Sequence, residues 1–193
     1  MIKTTAMQLE ELNKYANPQD KLSRMVASGE CFQIVRGLYE TDGSTPGYLL
    51  AGSIYGPSYI SFEFALGYHG MIPEAVYTIT SATFGKKKKK KYVTPFGTFT
   101  YRDVPSNVFP IGIDVVNEGE YYYRIACPEK ALCDKLYTLK PVPNTTALLE
   151  LIVNDLRMDE SEFEKLNKDM ISLLNVKYNC TNIKRLNSLI RRQ

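Results

Sequence analysis

A single histidine and a complete lack of tryptophan are the first constraints on what this 193-residue chain can do. His69 has no serine or cysteine nucleophile with a matching acid at a spacing that suggests a triad. In the last turn of a helix it reads as a residue suited to the helix dipole, and no catalytic role is assigned to it. The four cysteines, Cys31, Cys127, Cys133 and Cys180, form no C-x-x-C pair and no His/Cys ligand spacing. Reduced, mostly buried thiols are expected, with no disulfide and no metal. Charge-free apolar runs fall short of the ~18 residues of a spanning helix, and no apolar signal core follows basic residues at the amino terminus, so a cytoplasmic protein away from membranes is expected. A Gly-rich phosphate loop and internal repeats are also missing, so no cofactor is expected.

What is present is a good supply of apolar side chains, 44% of residues, and an uneven charge. That length and apolar content can bury a core, and we read two modules, residues 1–42 and 43–193. Residues 1–40 carry five basic and five acidic side chains, residues 41–83 none against three, and residues 84–102 seven against none. Without Lys86, Lys87, Lys88, Lys89, Lys90 and Lys91 the chain would hold 18 basic against 21 acidic residues, so its net charge of +3 comes from one local block.

The amino-terminal segment has the order helix, helix, hairpin. Residues 6–15 place Leu9, Leu12 and Tyr15 on one face, and Asn17-Pro18 supplies a cap followed by proline at a first helical position. The second helix buries Leu22, Met25 and Val26 and stops at Gly29, which suits a left-handed cap. Phe32, Ile34 and Leu38 then alternate with polar residues around Arg36-Gly37, the expected tight connection. A recognition helix followed by a wing has this order, so the segment reads as a minimal winged helix-turn-helix, with one helix fewer than usual. As a DNA reader it would use Gln19, Lys21, Ser23 and Arg24 in or beside a major groove and Arg36 on a phosphate or in the minor groove. With no net positive charge it could equally serve as a protein-interaction module.

After a turn-rich linker at residues 41–47, a short apolar helix over 48–55 and a helix opened by Ser61 and stopped at Gly70 are expected. Strands follow over 75–80, 92–94, 98–102, 111–116 and 121–126, then helices over 145–157, 161–174 and 181–192, the last ending in Arg191 and Arg192. Strands followed by segregated helices argue for an α+β fold with a mixed or antiparallel sheet.

The lysine run must be solvated. In a strand its side chains would alternate between faces, so it belongs on an exposed edge or a hairpin arm. There it can guard the edge against aggregation or meet a polyanion, with Tyr92, Phe96, Phe99 and Tyr101 available to stack bases. Asp103, Asp114, Glu129 and Asp134 beside Lys130 or Arg124 could form a metal-dependent nuclease core, but carboxylates at this density are ordinary surface charge. Lys130 and Asp134 are expected to pair on the helix surface, and Tyr121 to Tyr123 could serve a protein-interaction adaptor as its contact.

Residues 124–137, RIACPEKALCDKLY, run from a strand into a helix whose first position is Pro128, with Glu129 in the first turn where the dipole favours an anion. Together with residues 29–39, GECFQIVRGLY, and 58–73, SYISFEFALGYHGMIP, this block resembles the AbiEi-type antitoxins of type IV toxin–antitoxin systems. Gly29, Arg36, Gly37 and Tyr39 match the pattern. The resemblance implies an N-terminal winged helix that binds operator DNA and represses its own operon, and a second module that counteracts a nucleotidyltransferase-type toxin without durable binding to it. In that family the position of the lysine run commonly carries basic residues; independently of the resemblance, no catalytic activity is expected, since the carboxylates read as surface charge.

Overall fold

A computed structural model describes residues 1–191, so the expected helix end at Arg192 lies outside the described residues. The amino-terminal segment folds as β1 (Ile2–Thr4), α1 (Thr5–Glu11), α2 (Pro18–Ser28), β2 (Phe32–Val35) and β3 (Leu38–Glu40). The three strands form an antiparallel sheet in the order β1-β3-β2. β1 has no signature in the sequence, because three residues are too few to show alternation. α1 is shorter than residues 6–15 and begins where Thr4 accepts from the Met7 N–H. α2 starts as its sequence requires, with Asn17 accepting from the Asp20 N–H and Pro18 at the first turn. It ends at Gly29, whose φ of 75° only glycine adopts without strain. Arg36-Gly37 connects the hairpin, with Gly37 at φ 87°.

Leu12, Leu22 and Cys31 form a small core of their own, covered by Leu9, Met25, Val26 and Tyr39. Ile34 belongs instead to the main core, with Ile2, Val35 and Leu38 packed against it. The small sheet therefore bridges two hydrophobic clusters, one beneath α1 and α2 and one in the body.

That body is built on a six-stranded mixed sheet. Its strands are β4 (Tyr59–Ile60), β5 (Thr78–Thr83), β6 (Lys90–Thr94), β7 (Gly97–Asp103), β8 (Ile113–Glu118) and β9 (Tyr121–Ala126), in the order β6-β7-β5-β4-β9-β8. β5 runs parallel to β7, and β4 parallel to β9, while the remaining pairs are antiparallel. α3 (Ala51–Ile54), preceded by a 3-10 turn over Gly47–Leu50, lies on the face of Phe99 and Tyr101, where the Tyr101 hydroxyl donates to the Ala51 carbonyl at 2.7 Å. α4 (Phe62–Tyr68) lies on the face of Thr80 and Arg102: Thr80 Oγ1 accepts from the Phe64 N–H at 3.1 Å, and the Arg102 guanidinium sits over the Phe62 ring. The α+β expectation therefore holds for the body: α3 and α4 come before β5, and the other helices all follow β9.

α5 (Pro128–Tyr137) opens with proline as its sequence requires and packs against α4. α6 (Thr145–Glu150) runs into a π-helical turn over Leu151–Asp155. The helix expected over 161–174 is instead two, α7 (Glu160–Glu164) and α8 (Lys168–Tyr178), because Asn167 caps a new start by accepting from the Asp169 and Met170 N–H groups. α9 (Thr181–Ile190) completes a layer behind α5. Among the described residues no helix is long and apolar enough to cross a membrane.

One pairing expected on a helix surface is instead at the centre of the protein. The side chains of Lys130 and Asp134 are both fully buried. The i,i+4 spacing holds, with Nζ 2.9 Å from Asp134 Oδ1, but α5 is covered by the sheet and by α8. Asp134 also accepts from Tyr178, from Tyr59 at 2.9 Å and from Ser61 at 2.6 Å, and Lys130 lies over the Tyr178 and Tyr59 rings. Ser61 is thus the residue before α4, as expected, but its hydroxyl goes to Asp134 and makes no cap bond. A buried ion pair persists when its remaining lone pairs and protons are satisfied, and here tyrosine and serine hydroxyls satisfy them.

Candidate nucleic-acid interface

The face that α2 offers follows from its buried stripe. Leu22, Met25 and Val26 fix the inner face, and at 100° per residue Gln19 and Ser23 fall on one flank, Arg24 on the outer face and Lys21 on the opposite flank. Gln19 and Ser23 line a groove of about 420 Å³ with Thr5 of α1 and with Gln33 and Tyr39 of the hairpin. Ser23 Oγ donates to the Gln19 carbonyl at 3.0 Å, so its lone pairs face outward as acceptors. Arg24 Nε donates to the Asp20 carbonyl at 3.3 Å while its side chain stays exposed. Lys21 is turned away from the groove, with Nζ over the Tyr15 ring and 4.0 Å from a Glu30 carboxylate oxygen. Arg36 is exposed at the hairpin turn. The fold thus joins Gln19 and Ser23, leaves Arg24 and Arg36 free on outer surfaces, and separates Lys21 from them. Sequence reasoning misses Gln33 and Tyr39 as groove residues; their position opposite the inward-facing Ile34 and Leu38 is the available signal.

The lysine run divides between a loop and a strand. Lys86 to Lys89 cross from β5 to β6 past the end of β7, and Lys90 and Lys91 open β6, an edge strand of the sheet. Asp103 at the end of β7 holds that crossing, accepting from the Thr83 hydroxyl and from the Lys87 N–H, each at 2.7 Å. Lys87 takes a left-handed backbone with φ 58° there. Lys86 is engaged, donating to the Gly56 carbonyl at 3.1 Å and lying over the Tyr55 ring. Among the described residues Lys87 to Lys91 form no salt bridge, and Lys87, Lys88 and Lys89 line a cleft of about 420 Å³ with Arg102, Asp103 and Thr138. The aromatic side chains expected to stack bases are placed otherwise. Phe99 and Tyr101 are fully buried, Tyr92 packs on Tyr101 and Tyr55, and Phe96 meets Phe32 of β2 edge-on at 6.0 Å.

The hairpin meets the strand that the run opens: β2 lies against β6, with Phe32 on Phe96 in the turn at the end of β6 away from Lys90. At the base of the hairpin the Glu40 carboxylate is fully buried and accepts from the Met1 amino group, the Thr41 and Asp42 N–H groups and the Tyr121 hydroxyl. Burial alone would raise its pKa, but these four donors outweigh burial and hold it below the usual glutamate value. Tyr121 is therefore used internally and Tyr123 is buried, leaving Tyr122, 71% exposed, as the open member of that trio.

The four carboxylates weighed for a nuclease lie in separate environments. Asp103 clips the lysine crossing, Asp114 is exposed on β8, Glu129 accepts from the Asn167 N–H at 2.7 Å, and Asp134 is saturated within the core. His69 Nε2 is 2.7 Å from the Ala126 carbonyl, to which it donates, and its ring is edge-on to Tyr68. Burial pushes the Cys127 thiol up to about 12 and the Cys133 thiol well above its ordinary value, so both stay protonated at neutral pH. A wider cleft of about 520 Å³ lies beneath the exposed Tyr77, with Leu66, Ile72 and Val76 in its lining and a Glu63–Lys135 ion pair of 2.5 Å at its side. Burial opposes ionisation of Glu63, and Lys135 overcomes it, lowering its pKa.

Comparison with known proteins finds no family model that matches this chain and no matching curated protein.

Proposed function

We propose that this chain is a cytoplasmic antitoxin of the AbiEi type, which represses its own operon by binding operator DNA and counteracts a nucleotidyltransferase-type toxin. The observation that carries the reading is the groove between α2 and the hairpin, where Gln19 and Ser23 lie exposed beside Gln33. The sheet order β1-β3-β2 around α1 and α2 supports a winged helix-turn-helix lacking a preceding helix, with α2 as recognition helix and the β2–β3 turn as wing. Amide and hydroxyl side chains on one flank suit base edges, since glutamine pairs with adenine and Ser23, whose proton goes to the Gln19 carbonyl, can accept from a base. Arg24 and Arg36 on outer surfaces suit phosphates, which position a protein without reading sequence.

The three sequence blocks that resemble the antitoxin family support the second activity. The role of the chain is binding, with Asp103, Glu129, Asp134 and His69 all committed to internal hydrogen bonds. Sequencing the adjacent reading frame and expressing its product tests the proposal in cells, and the proposal requires that product to be a nucleotidyltransferase-type toxin. Growth arrest relieved by co-expression of this chain is the expected outcome, together with repression of a reporter driven by the upstream DNA. Arrest unrelieved and a reporter unaffected would refute the reading.

A further inference from the structure

The amino-terminal module and the lysine run present an electrostatic mismatch that the fold resolves. A DNA-binding surface draws most of its affinity from neutralised phosphates, yet residues 1–40 carry five basic and five acidic side chains. Within that module Lys21 faces Glu30 and Lys3 is held by Glu11 at 2.6 Å, leaving Lys14, Arg24 and Arg36 without a carboxylate partner among the described residues in a segment whose net charge is zero. The uncompensated charge of the chain is in Lys87 to Lys91 instead, and β2 of the module lies against β6, which Lys90 and Lys91 open. We infer that one DNA duplex lies across both, with α2 and its groove reading bases while the lysine crossing and edge strand of the second module clamp the flanking phosphates. The inference rests on the DNA-binding reading above and deepens it: the module that reads is not the part that supplies the charge.

Dimensions fit a single duplex. β6 runs from Lys90 to Thr94, about 13 Å at ~3.3 Å per residue, with the lysine crossing beyond its Lys90 end and Phe96, beside Phe32 of the module, in the turn after its other end. A duplex covers the length of that strand in about four base pairs at ~3.4 Å each. The cleft beside Lys87, Lys88 and Lys89 adds Arg102, which faces Glu63 at 3.7 Å and so brings less free charge than the lysines. Duplex DNA is favoured over a flexible single strand because Phe99 and Tyr101 are fully buried and the half-buried Tyr92 and Phe96 are engaged with the Tyr101 and Phe32 rings.

The test uses the full chain and a labelled duplex of the sequence directly upstream of its reading frame, titrated over a fourfold salt range. Lys88, Lys89 and Lys91 are exposed and free of left-handed backbone, so a Lys88→Gln/Lys89→Gln/Lys91→Gln variant should fold, which thermal melting checks. Removing three phosphate-neutralising charges flattens the salt slope by about 2.7, so raising salt fourfold costs the wild type about 40-fold more affinity than the variant. The ratio of operator to scrambled-duplex affinity stays unchanged, and the matching arginine variant keeps the wild-type slope. Shortening the duplex by about four base pairs at each end weakens the wild type but leaves the glutamine variant unaffected. A wild-type slope in the glutamine variant, or a wild type indifferent to duplex length, overturns the inference while leaving the DNA-binding reading intact. A wild type that binds no duplex overturns both.

Discussion

Single residues decide how the two clusters of the protein stay joined. Glu40 binds the hairpin to β9 through Tyr121 and to the chain that follows through two N–H groups. Its carboxyl is held below the ordinary value of 4.5, so it stabilises the fold at neutral pH, and that contribution fades as pH falls through the folded value. Glu40→Gln is therefore expected to lower stability at pH 7 by about 1.5–3 kcal/mol, the range for hydrogen bonds to a charged group. Urea denaturation should show the gap between wild type and variant narrowing as pH falls below the ordinary glutamate value of 4.5. The Lys130–Asp134 pair carries a second expectation. Lys130→Met or Asp134→Leu alone should cost about 3–5 kcal/mol, because each strands a buried charge, whereas the double variant should recover much of the loss. Their spacing is legible in the sequence and their burial is not, since both covers of α5, the Tyr59 strand and the Tyr178 helix, are remote in the chain.

Elements are most legible where local chemistry sets their ends. Asn17-Pro18 and Gly29 bound α2 as expected, Pro128 opens α5, and residues 121–126 form β9 as read. β5 is displaced from 75–80 to Thr78–Thr83, because residues 75–77 instead line the wide cleft, and propensity alone does not register a strand against its neighbours. Solvation alone places the lysine run on an edge, but does not divide it between crossing and strand, since Asp103 fixes that division from β7. Among the candidate DNA-binding residues, periodicity identifies the outward set of α2, while the hairpin decides which flank forms a groove. Gln19→Ala/Ser23→Ala should accordingly reduce preference for operator over scrambled duplex by about 1–3 kcal/mol for each base-edge hydrogen-bonding partner removed. Lys21→Ala, on the other flank, should leave that preference unchanged. Fluorescence anisotropy on both duplexes distinguishes the two.

At the scale of the whole molecule, a small sheet couples an amino-terminal segment of zero net charge, five basic against five acidic side chains, to a body with one strongly basic edge. An edge guarded against aggregation would tolerate either sign of charge, because glutamate protects a strand as lysine does. Lys88→Glu/Lys91→Glu should leave thermal stability within about 0.5 kcal/mol and the protein monodisperse in light scattering. If the edge serves DNA, the same variant should lose duplex affinity. Full affinity in a stable, monodisperse variant would reduce the run to an edge guard. The central claim, that this chain reads DNA, is tested most directly by titrating the wild-type protein against the upstream duplex and a scrambled duplex of equal length and composition at physiological salt. The account predicts binding to the upstream duplex tighter by about 10³-fold or more, as specific DNA readers achieve; equal affinity for the two, or binding to neither, would contradict it.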